Sequence, residues 1–545
     1  MALDIGRRQL QREVRAARLE GRGTPRVVIV GGGMSGVAMG MQLVRSGLRD
    51  FTIVEQSDGV GGTWRDNTYP GSGCDVPSHL YSFSFAPKSN WTRRFAEQPE
   101  ILSYAEQCVD QFGLGPHLRL NTTVASATFD EGTRRWRLSL QSAGGSEVIE
   151  ADTVVFACGQ LNRPHVPDLE GLGSFAGPSW HSARWDHSCD LAGRRVAVVG
   201  SGASAIQFVP PVAGLAAELT IFQRSPNYVA PKRDRAYSAR ARRLFSTWST
   251  VERAYRWWIY LSLEIRWIWF RKDSWPGRKL GEMFRSGVRD GVVSERLPEP
   301  SVIPDYPVGC KRILISSDWY PALRRPNVSV VNQQITRIDA DAVVTADGQR
   351  HPTDILIFGT GFSTTDFLSH ISITGTGGRS LADEWSDGAR AYLGTAVPGF
   401  PNCYLLYGPN TNLGHNSILF MVERQMNLIL QAMAVQTAAG GAPLVGVSAA
   451  AYRRDDERTQ RLMAGTAWVA NCRSWYKAAS GRVTNNWPSW TVRYWYDTLR
   501  LRPSDLGLIE PDRTDASPSP GSMMCTEPAG GGASAAEQTL SSATR

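Results

Sequence analysis

The sequence predicts an α/β fold with two parallel-sheet domains, the second of which carries a helical insert. Two segments about 170 residues apart each read as a buried strand, a glycine-rich turn, a helix and a second strand. A basic, tryptophan-rich segment follows the second of them and shows no strand pattern. The 545 residues suffice for several domains with a full core and no structural metal.

The positive charge of the chain is local. The formal net charge is +8 and the pI about 9.1, but residues 231–290 hold 15 Lys and Arg against 6 Asp and Glu, so the remainder nets −1. The same window holds six of the 18 Trp. No nucleic-acid-binding motif accompanies this charge, so we expect no nucleic-acid partner.

The cysteine pattern and the composition of several segments indicate the cellular location of the protein. The eight cysteines form no CxxC pair and no cluster with zinc spacing, so we expect isolated thiols, no metal site and a cytoplasmic protein. The N-terminus, with its charged residues between 7 and 18, predicts a charged helix rather than a signal peptide. The uncharged stretch 427–452 is interrupted by Gln, Gly and Pro, which argues against a membrane span. Residues 511–545 predict a disordered tail.

The first glycine-rich turn is the strongest signal. The apolar strand 27–30 leads into Gly31-Gly32-Gly33-Met34-Ser35-Gly36, a helix follows, and the next strand ends at Glu55. Gly31 permits the tight turn, Gly33 lets the backbone approach a pyrophosphate, and Gly36 lets helix and strand pack closely. Glu55 can accept hydrogen bonds from a ribose. The pattern indicates a Rossmann-like dinucleotide site.

The second turn repeats the first with a different ending. Residues 195–199 lead into Gly200-Ser201-Gly202-Ala203-Ser204-Ala205, and the following strand (219–222) ends at Gln223-Arg224-Ser225 with no acid. A carboxylate there would repel a 2′-phosphate, whereas Arg224 can bind one, so this site favours NADPH. The first site, with its acid, suits FAD. Three classes remain open: disulfide or ferredoxin-type reductases, amine or alcohol oxidases, and NADPH-dependent flavin monooxygenases.

A segment between the two turns decides among these classes. Residues 175–186, FAGPSWHSARWD, match F-x-G-x-x-x-H-x-x-x-W-[PD] at every fixed position. On this motif the sequence resembles type I Baeyer–Villiger monooxygenases. The fixed positions form a single set, the fingerprint: Phe175, Gly177, His181, Trp185 and Asp186.

The resemblance extends over residues 24–498. Residues 61–75 look like the family's flavin-side loop, 354–362 resemble its late A-T-G motif with Gly359 in place of Ala, and 408–410 resemble the flavin-ring end of the FAD domain. Residues 414–417 and 472–476 are similar to the 4-hydroxyacetophenone branch.

The resemblance also implies roles at the site. A flavin C4a-peroxide that attacks a ketone must stay anionic, which calls for a cation that keeps its proton. The family places Arg312 in that role and pairs it with Asp75, while Lys311 and Arg224 bind the 2′-phosphate. The fingerprint lies in a linker in this family and acts on cofactor position and domain movement rather than on the chemistry.

The complete set of implied binding residues is as follows. FAD binding involves Gly31, Gly33, Met34, Ser35, Gly36, Glu55, Gly62, Thr63, Trp64, Asp75, Tyr81 and Val124. NADP binding involves Gly200, Ser201, Gly202, Ala203, Ser204, Ala205, Gln207, Arg224, Ser225, Lys311 and Arg312.

The resemblance implies interleaved domains. We expect FAD-domain segments at 1–156 and 371–510, NADPH-domain segments at 159–230 and 309–370, and a helical insert at 231–308 that serves as a substrate cap. The insert has too few consecutive apolar residues to span a membrane, but weak contact with a lipid surface is an open alternative.

The function that follows is oxygen insertion next to a ketone carbonyl, giving an ester or lactone, with FAD and NADPH as cofactors and O2 as co-substrate. Two alternatives stay open: oxygenation of sulfur or nitrogen by a flavin-containing monooxygenase, and an uncoupled NADPH oxidase or reductase. Trp468, Trp475, Trp487 and Trp490 suggest a bulky or aromatic ketone.

Overall fold

Two five-stranded parallel sheets organise the protein, which confirms the predicted fold class. The computed structural model describes residues 4–440, 444–470 and 474–508. The predicted tail, 511–545, lies outside these residues.

The strands, in chain order, are β1 (Val27–Val30), β2 (Phe51–Val54), β3 (Leu118–Arg119), β4 (Thr123–Asp130), β5 (Arg135–Ser142), β6 (Gly145–Ala151), β7 (Thr153–Phe156), β8 (Ser179–His181), β9 (Arg195–Val199), β10 (Glu218–Phe222), β11 (Val229–Ala230), β12 (Leu314–Ile315), β13 (Val328–Val331), β14 (Ile335–Ile338), β15 (Ala342–Thr345), β16 (Arg350–Pro352), β17 (Ile355–Phe358), β18 (Ser372–Thr374), β19 (Cys403–Leu405), β20 (Val445–Val447) and β21 (Leu506–Leu508).

The α-helices are α1 (Ile5–Leu19), α2 (Met34–Arg45), α3 (Thr63–Asp66), α4 (Gln98–Phe112), α5 (Ala205–Leu215), α6 (Ala239–Thr247), α7 (Ser249–Glu264), α8 (Trp275–Gly291), α9 (Glu299–Val302), α10 (Trp319–Leu323), α11 (Leu381–Glu384), α12 (Ile418–Ala438), α13 (Ala449–Met463) and α14 (Thr491–Asp497).

The first sheet has the order β19-β7-β1-β2-β3, and all of its neighbouring strands run parallel. Its central strand β1 is buried along its whole length, as expected of a strand covered on both faces. Val27 pairs with Phe51 on one side and Thr153 on the other. The strands come from residues 27–156 and, through β19, from residues 403–405.

The second sheet has the order β13-β10-β9-β17-β8 and is also parallel throughout. All of its strands fall between residues 179 and 358. Its edge strand β8 contains His181, which pairs with Phe358 of β17. The expectation of a linker at this position is therefore wrong for the central part of the fingerprint, which is a strand of the sheet.

Smaller sheets complete the fold. A four-stranded sheet, β18-β4-β5-β6, and a three-stranded sheet, β14-β15-β16, flank the large sheets. Two strand pairs, β11-β12 and β20-β21, join distant parts of the chain. The predicted six-segment domain division stays a prediction, because strand membership alone does not fix its boundaries.

Helix α12 is the one described helix with the length and composition of a membrane span. Of its apolar window, 83% is buried inside the protein. It packs against α1, whose Gly6 amide donates to the Asn427 side chain at 3.0 Å. These contacts identify α12 as a core helix.

The insert is helical, with α6 to α9 between residues 239 and 302. Its helix α7 has a buried carboxylate near each end, and the one at the C-terminal end is hydrogen-bonded. Near the start, Glu252 lies 3.6 Å from the ring of His79, and both side chains are buried. At the end, Glu264 accepts hydrogen bonds from the Thr491 amide (2.6 Å) and the Asn416 side chain (2.8 Å). The residues that contact these two carboxylates lie outside the second sheet.

Candidate functional site

One cavity of about 1100 Å³ lies at the carboxyl ends of both sheets. Val30 ends β1, Val199 ends β9, and both line it, as do Ala157 after β7 and Gly359 after β17. The carboxyl edge of a parallel sheet is where α/β proteins bind ligands. The two glycine-rich turns therefore open into the same space.

Two glycines of the first turn leave no room for a Cβ, and a third leaves open space beside the neighbouring backbone. Gly31 has φ +106°, and a Cβ there would lie 2.9 Å from the Ala157 carbonyl oxygen. A Cβ on Gly36 would lie 1.9 Å from the Gly31 oxygen. At Gly33 the nearest atom to a Cβ is 3.7 Å away, in Gly62. The turn and α2 thus form a cradle that a phosphate can approach closely.

Glu55 is buried at the end of β2 and faces this cradle. Its carboxylate accepts hydrogen bonds from the amides of Gly32 (2.6 Å) and Ser57 (2.8 Å). Each carboxylate oxygen has two acceptor sites, so both retain capacity for a ribose hydroxyl. The acid therefore holds the turn in shape as well as facing the ligand space.

The second turn has the same geometry. Gly200 has φ +103°, and a Cβ there would lie 2.5 Å from the Gly359 oxygen. Gly359 itself, where the family usually has Ala, would place a Cβ at ordinary contact, 3.4 Å from Ala205 and Phe208. The departure from the family pattern is thus sterically neutral.

Positive charge gathers beside the second turn. Lys311 donates to the Ser225 hydroxyl at 2.6 Å and lies 4.3 Å above the Tyr306 ring. Burial, together with the charge of Arg224, lowers the pKa of Lys311. Asp305 acts in the opposite direction, but burial and Arg224 prevail, so the two neighbouring cations form a site that an anion stabilises.

Arg312 and Asp75 form an ion pair in the cavity wall. The guanidinium donates from Nε to the Asp75 carboxylate at 3.0 Å and also from Nη2. About a quarter of each side chain remains exposed to the cavity. The negative charge of Asp75 raises the pKa of Arg312 above its ordinary value, so the guanidinium keeps its proton.

Two phenols lie near this pair. Burial raises the pKa of Tyr476 to about 12 and also raises that of Tyr407, so both stay neutral near pH 7. Tyr407 has φ +57° and donates to Asn412 at 2.8 Å. A neutral surrounding leaves Arg312 as the fixed positive charge of this wall.

Gln207 connects the two halves of the site. It lies on α5, and its amide donates to the Gly73 carbonyl at 2.9 Å while accepting from the Tyr69 hydroxyl at 2.9 Å. Gly73 lies in the loop that carries Asp75. The helix of the second turn therefore positions the loop of the first domain.

The fingerprint residues stand behind the cavity rather than in its wall. Trp185 packs against Tyr69 and Phe208, with ring centroids 6.5 and 5.3 Å apart. His181 is buried, accepts from the Ala183 amide at 3.1 Å, and has its pKa lowered by burial. A Cβ on Gly177 would lie 2.1 Å from the Asp354 oxygen. These contacts indicate packing, not chemistry.

All predicted binding residues except Gly36 and Ala205 line the cavity. These two lie in helices and face their own sheets. Several lining residues were not predicted as binding residues, and they are Gln160, Asn332, Tyr407, Asn412 and Asn416. Asn412 and Asn416 closely follow the recognised motif 408–410, which was the available signal.

The insert does not line this cavity. Within the described residues, none between 228 and 310 contributes to its wall. The role of the insert as a substrate cap stays a prediction. Of the four tryptophans expected near substrate, only Trp475 lines the cavity; Trp468 and Trp487 are core residues and Trp490 is exposed.

The cysteines largely match the expectation of isolated thiols. Cys74, Cys108, Cys158, Cys189 and Cys403 are free. The expectation is wrong at Cys310, which is disulfide-bonded. Burial raises the pKa of the Cys74 thiol, next to Asp75. A protonated thiol there is a poor nucleophile.

Comparison with known proteins gives consistent matches. The family model "Pyridine nucleotide-disulphide oxidoreductase" matches residues 25–247. A Baeyer–Villiger monooxygenase of Streptomyces coelicolor is 40% identical over 489 residues, which is 89% of this chain and 93% of that protein. A Baeyer–Villiger monooxygenase of Pseudomonas aeruginosa is 41% identical over 482 residues, 86% and 88% of the two chains.

Solved structures of Baeyer–Villiger monooxygenases are also similar to this chain. The closed structure of cyclohexanone monooxygenase superposes with a TM-score of 0.78 at 26% identity, covering 88% of this chain and 97% of its own. OTEMO in complex with FAD and NADP gives 0.77 at 27% identity, with 88% and 98% covered. Oxidized steroid monooxygenase bound to NADP gives 0.77 at 29% identity, with 88% and 97% covered.

Proposed function

The chain belongs to the Baeyer–Villiger monooxygenase family, and we propose that Arg312 and Asp75 are the residues through which it oxygenates a ketone. The overall reaction converts a ketone, NADPH, a proton and O2 into an ester or lactone, NADP+ and water. The single observation that carries the assignment is the ion pair of Arg312 and Asp75 in the wall of a cavity shared by two dinucleotide turns.

FAD fits the first turn. The glycine cradle admits a pyrophosphate at the start of α2, and Glu55 offers acceptors to a ribose. Bound FAD supplies the redox chemistry, taking a hydride from NADPH and activating O2. Tyr81 and Trp64, hydrogen-bonded to each other at 3.0 Å, line the same side of the cavity.

NADPH fits the second turn. Lys311 and Arg224 would hold the 2′-phosphate, and the Ser225 hydroxyl would share it, since Ser225 already bonds Lys311 and all three line the cavity. NADH lacks this phosphate and would leave two close cations uncompensated. The charge arrangement therefore supports the preference for NADPH.

Arg312 acts as a fixed cation. Its guanidinium stays protonated, so it stabilises negative charge on the attacking oxygen and on the carbonyl oxygen of the substrate without giving up a proton. Asp75 orients the guanidinium through Nε and Nη2, which leaves Nη1 free of this carboxylate. The pair is a preorganised dipole and needs no rearrangement during reaction.

Small-molecule ketones and O2 are the partners we propose, in a cytoplasmic protein. Five described cysteines are free, as is typical of a reducing compartment, whereas the disulfide at Cys310 is not. Among the lining residues, Trp475 and Tyr407 offer flat apolar faces that favour an aromatic or bulky ketone.

The test is product analysis with Arg312→Ala and Arg312→Lys. We expect Arg312→Ala to lower the rate of ester formation by about 10² to 10³, while NADPH oxidation continues and releases H2O2. Arg312→Lys should recover only part of the loss because one ammonium cannot make both contacts with Asp75. Ester formation near the wild-type rate in Arg312→Ala would disprove the role. Arg8→Ala, an exposed charge far from the site, is the control.

Product identity separates this function from its alternatives. An ester or lactone from a panel of ketones supports ketone oxygenation. A sulfoxide or N-oxide as the main product would support sulfur or nitrogen oxygenation, and H2O2 alone would support an uncoupled NADPH oxidase. The family membership does not favour either alternative.

A further inference from the structure

The exposed aromatic residues lie on one part of the molecule. Seventeen large hydrophobic side chains are exposed among the described residues, and eight lie between residues 231 and 290. The exposed aromatics are Trp248, Trp257, Trp258, Trp275, Trp490 and Tyr496. Four belong to the insert, and the other two flank or belong to α14, which the insert anchors.

A continuous apolar surface joins three helices. The rings of Phe245, Tyr255 and Trp258 stack in series at 5.1 and 5.9 Å, which links α6 to the outer face of α7. Leu261 (57% exposed) and Ile265 (60% exposed) follow Trp258 by three and seven residues, so they share its helix face.

The surface continues onto α14. The Glu264 carboxylate accepts from the amides of Thr491 and Val492, which brings the start of α14 against the end of α7. Val492 and Tyr496 are exposed there. We call the set Leu244, Trp248, Trp257, Trp258, Leu261, Ile265, Val492 and Tyr496 the insert surface.

Uncompensated positive charge surrounds the insert surface. Of the six acids in residues 231–290, Glu252 and Glu264 are buried, and Asp234 and Glu282 pair with Arg93 and Lys279. The exposed arginines 240, 242, 243 and 253 form no ion pair within the described part of the chain.

We propose that the insert surface docks this enzyme on an anionic lipid bilayer. Tryptophan rings and apolar side chains enter the interface between headgroups and acyl chains, while the arginines reach lipid phosphates and carboxylates. The buried α12 plays no part, so the protein lies on the membrane and does not cross it. This inference is independent of which substrate the enzyme oxidises.

Charge argues for lipid over a second copy of the chain. A two-fold dimer places the same patch on both sides of its interface, so arginines 240, 242, 243 and 253 would meet one another. The rest of the chain nets −1, so it carries no overall excess of acid to attract this patch in a head-to-tail contact. A bilayer containing phosphatidylserine supplies the missing negative charge.

The experiment is co-sedimentation of the FAD-loaded enzyme with vesicles. Phosphatidylcholine vesicles are compared with vesicles that also contain phosphatidylserine, at low and moderate salt. We expect pelleting with the anionic vesicles only, weakened by salt. Absence of pelleting with anionic vesicles at low salt would overturn the proposal.

Two variants test the two parts of the surface. Trp258→Ser with Leu261→Gln and Ile265→Gln removes apolar contact, and Arg240→Gln with Arg242→Gln and Arg243→Gln removes charge. Each should lower the bound fraction on the order of tenfold, with flavin content and NADPH oxidation in solution unchanged.

A matched control removes equally exposed apolar groups elsewhere, with Leu19→Gln, Val148→Gln and Leu215→Gln. It should bind vesicles like the wild type. Equal loss in this control would mean non-specific adhesion and would overturn the proposal. Sedimentation velocity supplies the other outcome: a dimer that the apolar variant converts to monomer assigns the surface to a second copy instead.

Discussion

The side-chain amide of Gln207 donates to the Gly73 carbonyl at 2.9 Å and so ties α5 to the loop that carries Asp75. The residues are 134 positions apart in the chain. Because Asp75 in turn holds Arg312, the placement of the NADPH-side helix sets the position of the cation over the cavity.

Gln207→Leu should therefore uncouple the two halves of the site. We expect a roughly tenfold slower reduction of the bound flavin, since small misplacements of reacting groups cost rate steeply. Anaerobic rapid mixing with NADPH measures it. Tyr69→Phe, which removes only the hydroxyl that donates to Gln207, is the graded control and should show a smaller effect. Unchanged reduction in Gln207→Leu would contradict the coupling.

Cofactor preference should rest on Arg224. Arg224→Ala should raise KM for NADPH by about tenfold or more, as expected for losing a charged hydrogen bond, and leave KM for NADH unchanged. Steady-state kinetics with both cofactors measures the ratio. Arg194→Ala, an exposed neighbour of β9, is the control. A parallel rise for both cofactors would show that Arg224 does not contact the 2′-phosphate.

Lys311 should give this preference a pH dependence. The ammonium binds phosphate below its pKa and loses its charge above it, and burial with Arg224 nearby lowers that pKa. The kcat/KM for NADPH should therefore fall with rising pH earlier than an ordinary lysine would cause. Lys311→Arg should flatten the profile, because guanidinium does not titrate in this range. An identical profile in that variant would exclude Lys311 as the titrating group.

Glu264 should stabilise the fold in a pH-dependent way. Burial acts to raise the pKa of Glu264, but hydrogen bonds from His415, Thr491 and Asn416 prevail and lower it. A carboxyl whose pKa is lower in the folded than in the unfolded state stabilises the fold at pH values above its unfolded pKa. This stabilisation is lost as the pH falls through the folded-state pKa.

Glu264→Gln should cost about 1–3 kcal/mol near pH 7, and the gap from wild type should narrow in acid. Chemical denaturation at several pH values measures it. Glu282→Gln, exposed on α8, should have no effect. A gap that widened as pH fell would reverse the assigned direction.

Two glycine substitutions should separate steric need from motif resemblance. Gly36→Ala should prevent FAD retention, since its Cβ would lie 1.9 Å from the Gly31 oxygen. Gly359→Ala, where the nearest atoms are at 3.4 Å, should bind both cofactors normally. Flavin absorbance of the purified proteins reports the difference. Retention of FAD by Gly36→Ala would show that the turn can relax.

Local sequence predicted the features that depend on local geometry. Both turns combine a β-branched strand with a first glycine that has a positive φ and admits no Cβ, and this signal is short-range. The opposite signs at the two strand ends, Glu55 and Arg224, likewise follow from position within a motif. Arg312 required the family resemblance, because a Lys-Arg pair before a strand has no distinctive pattern.

Long-range contacts account for what the sequence did not predict. Strand β8 has three residues and no alternation, and only its pairing with β17 makes it part of the second sheet. Tyr407 reaches the site because its backbone is left-handed, with φ +57°, a conformation that tyrosine rarely adopts and that its sequence does not predict. The docking of α7 rests on Glu264 and Thr491, which are 227 residues apart.

The anchoring of α7 has a consequence for protein engineering. By chain order the insert lies within the part of the chain that forms the second sheet, but Glu264 bonds it to Asn416 and Thr491, and Glu252 lies 3.6 Å from His79, all outside residues 179–358. A chimera that exchanges residues 231–308 alone would bury two carboxylates without their partners. The segment is packed against residues far from it in the chain, and it can be transplanted only together with them.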